Sequence, residues 1–429
     1  MTLLEIFFLT FFVLMILRVP LFLCLIAPSL LYIFLSPELS IMTAMTRMFN
    51  APNSFTLLAI PFFLFSGQVM NYGRVSIRIF GFANKLVGHF RGGLAYVNVL
   101  ASKIFDAGSG SALADIGSLG LIEITAMREH GYEDDITIGI SGASATLSPI
   151  TPPSVPFVIY GAMANVSIGA MFIAGIIPGI LIFIALCVKV FIIARQRNYQ
   201  PSKRASFKEI WEAFKGAIWA MLYPVIIIGG IWSGLFTPTE AAFVTAVYGL
   251  IVSILIYREL KIKELPRLIV QTIQTVGPSI AAVVGAALFA WIMTYEKVDK
   301  FLLEVILGFS TNKYVVLLLI NICFLLIGTC IEVISAIMIT LPILMPICQT
   351  IGVHPVQMGV IIVLNLMIGL MTPPVGFSLF MLSSIAKVSF GQTVKYCLPW
   401  TVPLFVVLLL LTYIEPLTMF LPRLLGFVM

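Results

Sequence analysis

The sequence predicts an all-α, polytopic membrane protein built from two inverted-topology repeats, and three observations carry that prediction. Sixty per cent of the 429 residues are hydrophobic and only 10% are charged, against the ~25% charged usual in soluble domains. The tripeptide Thr-Pro-Pro occurs twice inside long apolar runs, at Thr151-Pro152-Pro153 and Thr372-Pro373-Pro374. Sliding the chain by the 221 residues that separate Thr151 from Thr372 also lays Gly131 on Gly352 and Gly108-Ser109 on Thr329-Cys330 without a gap, the mark of an internal repeat.

Two successive prolines interrupt a helix, because each lacks a backbone N–H and its ring clashes with the preceding turn. Each apolar run therefore reads as two half-helices, 136–148 and 154–165 in the first half, each roughly half of the ~20 residues that span a bilayer. Unwound backbone at that depth leaves carbonyls that hydrocarbon does not satisfy, so the break must line a cavity or bind something.

In chain order, apolar segments at 3–17, 20–35 and 54–70 predict crossings. A basic amphipathic stretch at 74–91, with Arg78 and Lys85 and no acid, belongs on the cytoplasmic side. Residues 94–127 form two apolar pieces joined by a polar tip from Asp106 to Ser111, read as a re-entrant hairpin. The broken helix follows at 136–165 and a crossing at 167–194, ending in a basic loop with Arg195, Arg197, Lys203, Arg204 and Lys208. In the second half, crossings at 219–235 and 238–257 lead to the basic loop Arg258, Lys261, Lys263 and Arg267. A crossing at 278–293 precedes a loop of mixed charge at 296–313. A second hairpin at 314–349, a second broken helix at 355–385 and a last crossing at 399–420 complete the chain.

Residues 1–200 and 216–429 are thus the two repeats, with about ten crossings and two hairpins in all. An odd number of crossings per half turns the second copy upside down, and loop charge agrees: basic loops in one half correspond to neutral or balanced ones in the other. Both termini are placed outside. Glu5 and the lack of a basic leader segment argue against a cleaved signal peptide. Inverted repeats with paired hairpins and broken helices are a transporter architecture.

Several function classes fall away. The excess of 25 Lys and Arg over 19 Asp and Glu is concentrated in loops, which is the positive-inside pattern and not a nucleic-acid surface. Six cysteines form no C-x-x-C pair and three histidines lack zinc-ligand spacing. Gly108-Ser109-Gly110 lacks the third glycine and the lysine of a phosphate loop. With no ATP motif, energy must come from a gradient.

The hydroxyls of Ser109, Ser111 and Thr151, with the carbonyls of Ser148 and Pro153, form a set of hard oxygens suited to sodium; the competing reading is that the hydroxyls join helices and the prolines only kink them. Four acids lie in or beside apolar runs, where a carboxylate costs ~2.5 kcal/mol or more to insert. Asp115 is read either as a site residue or as a hairpin clamp, Asp106 sits at the first tip, Glu332 at the second, and Glu240 follows Pro238 as a helix cap. Ser111, Asp115 and Glu332 are the substrate-binding candidates.

Four stretches carry a family resemblance: AIPFFLFSGQVMNYG from Ala59, AGSGSALADIGSLG from Ala107, SATLSPITPPSVPFVIYG from Ser144 and NLMIGLMTPPVGFSLF from Asn365. Over essentially its whole length the chain resembles the large membrane (M, DctM-like) subunit of tripartite ATP-independent periplasmic (TRAP) transporters. Arg18, where the resemblance leads one to expect a small residue, departs from the pattern. The resemblance implies sodium-coupled import of an organic acid anion, such as sialic acid or a C4-dicarboxylate, across the bacterial inner membrane by an elevator motion of a transport domain against a scaffold. It implies a small four-helix membrane subunit and a periplasmic binding protein as partners, Na+ as coupling ion and no organic cofactor. It places one sodium site at Ser109, Ser111, Ser148, Thr151 and Pro153, and by the repeat a second at Thr329, Gly369, Thr372 and Pro374. A stand-alone carrier or channel is the alternative; an intramembrane enzyme would need a nucleophile paired with a base, and no such pair is legible.

Overall fold

The computed structural model describes residues 2–17 and 19–428, apart from the side chains of residues 107, 109, 299, 302, 303, 306, 307 and 309. Arg18 and the side chain of Ser109 thus lie outside what is described. The described residues form helices and no strand.

Among the described residues, eight helical stretches are long and apolar enough to cross a membrane: Phe55–Tyr72, Ile168–Gln196, Phe207–Trp232, Pro238–Ile256, Ile262–Tyr295, Lys313–Cys330, Val333–Thr350 and Phe390–Tyr413. The two N-terminal helices, Leu3–Ile16 and Leu21–Leu35, are shorter and apolar. Large apolar side chains such as Ile184, Val188 and Phe191 remain exposed along Ile168–Gln196, as a lipid-facing helix requires.

Local chemistry sets the helix starts. Thr2, Ser206, Thr237 and Ser389 each cap a helix while the Glu or Gln three residues on reaches back to the cap, a reciprocal box that satisfies two otherwise free N–H groups. Glu240 is one of these: its carboxylate accepts from the Thr237 backbone N–H at 2.7 Å and hydroxyl at 2.8 Å, which is the capping duty expected of it.

The spacing of 221 recurs element by element. The first hairpin's limbs are Gly93–Ser109 and a run of three consecutive helical segments, Ala112–Asp115, Ile116–Gly120 and Leu121–Glu129; the second hairpin's limbs are Lys313–Cys330 and Val333–Thr350. The broken helices are Asp134–Ala145 with Val155–Ala164, and Pro355–Leu370 with Phe377–Ala386. Ile168–Gln196 and Phe390–Tyr413 follow them in turn. Tight crossings rest on small residues. A Cβ on Gly139 would stand 2.2 Å from the Trp400 ring, and one on Gly249 2.1 Å from the Tyr223 hydroxyl.

Several expected bounds shift. Between the apolar segments at 20–35 and 54–70 lies a further helix, Ile41–Asn50, and the loop read at 296–313 contains the helix Val298–Phe309. Both are one-sided helices, so a hydropathy window averages their two faces away. The crossing read at 278–293 is the end of a longer helix, Leu265–Tyr295, with Pro278 inside it. The last crossing starts earlier and stops at Tyr413, before Pro416 opens the separate helix Pro416–Leu424.

Candidate ion and substrate site

Each hairpin tip lies on the break of its own half. In the first half, Asp134–Ala145 ends in turns through 146–153, and Ser154 restarts the helix by accepting from the Phe157 N–H at 3.2 Å while donating to the Pro149 carbonyl at 2.5 Å. The tip residue Gly110 has a positive φ of 59°, which only glycine adopts without strain, and a Cβ there would stand 2.8 Å from the Pro153 carbonyl oxygen. In the second half, a Cβ on Gly369 would stand 2.5 Å from the Gly328 backbone. Gly376, also at positive φ, donates its N–H to the Thr329 carbonyl at 3.0 Å. The peptide bonds Pro152-Pro153 and Pro373-Pro374 are both cis.

The two halves then meet. A cavity of about 460 Å³ is lined by Gly110 and Ser111 of the first tip, Pro149 and Val155 of the first break, Glu332 and Val333 of the second tip, and Met367 and Leu370 of the second break. Gln68 and Asn71 on one helix, and Thr275 and Ser279 on another, close it with polar groups. Ser111 and Glu332 stand 221 residues apart and do the same work: Ser111 accepts from the Ala114 N–H at 3.5 Å, and Glu332 accepts from Ile334 and Ser335 N–H groups at 3.0 and 3.3 Å. Each caps the second limb of its hairpin at the cavity wall.

Buried amide clamps tie each hairpin to its break. Asn98 donates to Ser141 at 2.7 Å and accepts from Ser144 at 2.7 Å. In the other half, Asn365, the residue 221 beyond Ser144, donates to Asn321 at 2.5 Å, and Asn321 donates to Thr412 at 3.0 Å.

The remaining candidates separate. Asp115 does not line the central cavity; it is buried among Ser102, Asp106 and Glu123. Thr151 is 8% exposed and borders a different, mostly apolar cavity of about 300 Å³ with Pro152, Ile180 and Met221. Its hydroxyl accepts from the Lys103 ammonium at 2.8 Å. Ser148 is buried beside Asp106. Thr329 and Thr372 each donate their hydroxyl proton to a carbonyl of the preceding helical turn, Leu326 and Ile368, at 2.8 Å. The Thr329 hydroxyl also lies 3.4 Å from the Cys330 Sγ, and both threonines flank the close-packed Gly328 and Gly369 backbone. Pro374 is exposed.

Sequence reasoning passed over Lys103 and Glu123. Both are charges inside hairpin limbs, Glu123 is 1% exposed, and its spacing of eight from Asp115 puts the two on one helical face. That periodicity was the available signal.

Comparison with known proteins decides the family. The family model described as "Tripartite ATP-independent periplasmic transporter, DctM component" matches residues 8–417. The chain belongs to the DctM family. It is therefore a multi-pass membrane permease of a tripartite transporter and not an enzyme. It is 42% identical over 400 residues to the sialic acid TRAP transporter large permease protein SiaM of Vibrio cholerae, covering 93% of this chain and 94% of that one. It is 38% identical over 398 residues to the C4-dicarboxylate TRAP transporter large permease protein DctM of Pseudomonas aeruginosa, with 93% of each covered. The isethionate TRAP transporter permease protein DctMQ of Oleidesulfovibrio alaskensis is 38% identical over 373 residues, 87% of this chain but 59% of that protein. Among solved structures, the Alcanivorax borkumensis YdaH transporter superposes with a TM-score of 0.61 at 14% identity over 86% of each chain, a likeness of fold alone.

Proposed function

We propose that this DctM-family permease imports an organic acid anion by sodium coupling, with the two hairpins and two broken helices moving as a block against the other helices. The observation that carries the reading is the convergence of both tips and both breaks on one cavity of about 460 Å³. Unwound backbone beside a polar cavity is where an ion and a solute are held in transporters of this architecture. Sodium fits the neutral oxygens of Thr329, Gly369, Thr372 and the neighbouring carbonyls, and the capped tips at Ser111 and Glu332 border the solute. Residues 1–200 and 216–429 serve as inverted repeats, which give inward and outward states of similar energy. In this reading the protein sits in a bacterial inner membrane with both termini periplasmic.

The solute class follows from what relatives are named for, sialic acid and C4-dicarboxylate among them. A small membrane subunit and a periplasmic binding protein complete the system. The longer relative named DctMQ, of which this chain spans 59%, has room for such a subunit in one polypeptide.

The test is reconstitution in proteoliposomes with both partners, measuring uptake of sialic acid and of a C4-dicarboxylate separately. Saturable uptake of one of them that requires the binding protein supports the proposal. Uptake that proceeds equally well without it identifies a stand-alone carrier, and flux that does not saturate identifies a channel.

A further inference from the structure

The two breaks differ in the charged residues beside them. Lys103, on the first limb of the first hairpin, places its ammonium 2.8 Å from the Thr151 hydroxyl. Room is made for it by Gly179 on the helix Ile168–Gln196: a Cβ there would stand 2.6 Å from the Lys103 Nζ and 3.2 Å from the Thr151 Oγ1. Asp106, one turn along the limb and fully buried, supplies a countercharge, and Ser148 stands beside that carboxylate. The half-helix Asp134–Ala145 directs its C-terminal, partially negative end at the same break. The electrostatics of the first break are therefore those of a cation site, and a cation of the chain's own is already in it.

At the positions 221 residues on, Phe324 replaces Lys103 and Ile327 replaces Asp106. Phe324 is buried and apolar. The second break has the Thr372 hydroxyl and the close-packed glycines but no lysine from the corresponding position.

We infer that Lys103 occupies the cation position at Thr151, so that this chain binds sodium at the second break only. This rests on the sodium-coupled reading above. Neutralising the lysine leaves a buried carboxylate and a threonine hydroxyl facing a vacated space, and that space becomes a second sodium site.

The experiment counts ²²Na+ bound at saturation by the purified full chain, for wild type, Lys103→Met, Lys103→Arg and Thr372→Val, each first shown to be monodisperse and folded. The expected counts are one ion per chain for wild type and for Lys103→Arg, two for Lys103→Met, and one for Thr372→Val, reached only at a higher sodium concentration than in wild type. Two ions on wild type overturn the inference while leaving sodium coupling standing, and this holds even if Lys103→Met does not fold. An unchanged count in folded Lys103→Met also overturns it. No bound sodium on any variant, with uptake indifferent to sodium, overturns the coupling reading and this inference with it.

Discussion

Gly328 and Gly369 meet backbone to backbone, so close that a Cβ on Gly369 would stand 2.5 Å from the Gly328 carbonyl carbon. The contact holds the tip of the second hairpin against the second break, and no side chain yields to relieve it. Gly369→Ala is therefore expected to destabilise by about 1–3 kcal/mol, the usual range for forced overpacking, and to reduce sodium binding. Gly277, in a helix and with open space where a Cβ would go, is the control. Gly277→Ala should be neutral or stabilising by up to about 1 kcal/mol. Thermal unfolding in detergent, with and without sodium, compares the two.

Glu332 both caps a helix and borders the central cavity. Glu332→Gln keeps an acceptor for the Ile334 N–H while removing a charge. At an effective dielectric near 20, a charge about 10 Å or more from a cation contributes on the order of 1–2 kcal/mol, so the sodium half-saturation of uptake should rise roughly five- to thirtyfold. Glu332→Ala also loses the cap, about 1 kcal/mol, and should lower the melting temperature where Gln does not.

Thr151 and Thr372 are equivalent by spacing and are expected to respond differently to the same change. Thr372→Val should raise the sodium half-saturation of uptake, and Thr372→Ser should do so less. Thr151→Val removes the acceptor of the Lys103 ammonium, which costs stability of about 1–3 kcal/mol for an unpaired buried group, and leaves the sodium dependence as in wild type. Equal shifts in sodium dependence from both valine variants would contradict the assignment.

A cluster outside the membrane-spanning segments predicts an acid response. The Tyr199 hydroxyl donates to the Glu133 carboxylate, and Arg197 pairs with Glu133 at 3.1 Å and with Asp135 at 2.5 Å. The Tyr199 hydrogen bond, followed by Arg197, holds the Glu133 carboxyl below its usual range. A depressed carboxyl contributes stability above its unfolded value, near pH 4.3, and that contribution is lost as pH falls through the folded value. The melting temperature of wild type should fall over this acid window more steeply than that of Glu133→Gln. Parallel curves would refute the linkage.

Much of this was legible because the strongest signals were backbone signals. Proline pairs and glycine tips act through dihedrals and missing donors, so Thr151-Pro152-Pro153, Thr372-Pro373-Pro374 and Gly110 located the breaks and the first tip directly. What stayed hidden depends on tertiary placement. Ile41–Asn50 exposes Ile41, Met42 and Phe49 on one face and is too short and too polar on the other to stand out. Lys103 sits in an apolar run where a lysine can snorkel as easily as pair, and only the approach of Thr151 and the gap at Gly179 show that it turns inward. Ser111 and Thr151, read from the sequence as parts of one oxygen shell, border different cavities on the two sides of the break.

Sodium-driven import through the cavity between the hairpins is measured most directly as solute uptake into proteoliposomes carrying the permease, the small subunit and the binding protein, under an imposed inward sodium gradient. Sodium-driven import gives accumulation above the external concentration that collapses when a sodium ionophore dissipates the gradient and is absent when potassium replaces sodium. Accumulation that persists unchanged under both conditions would contradict it.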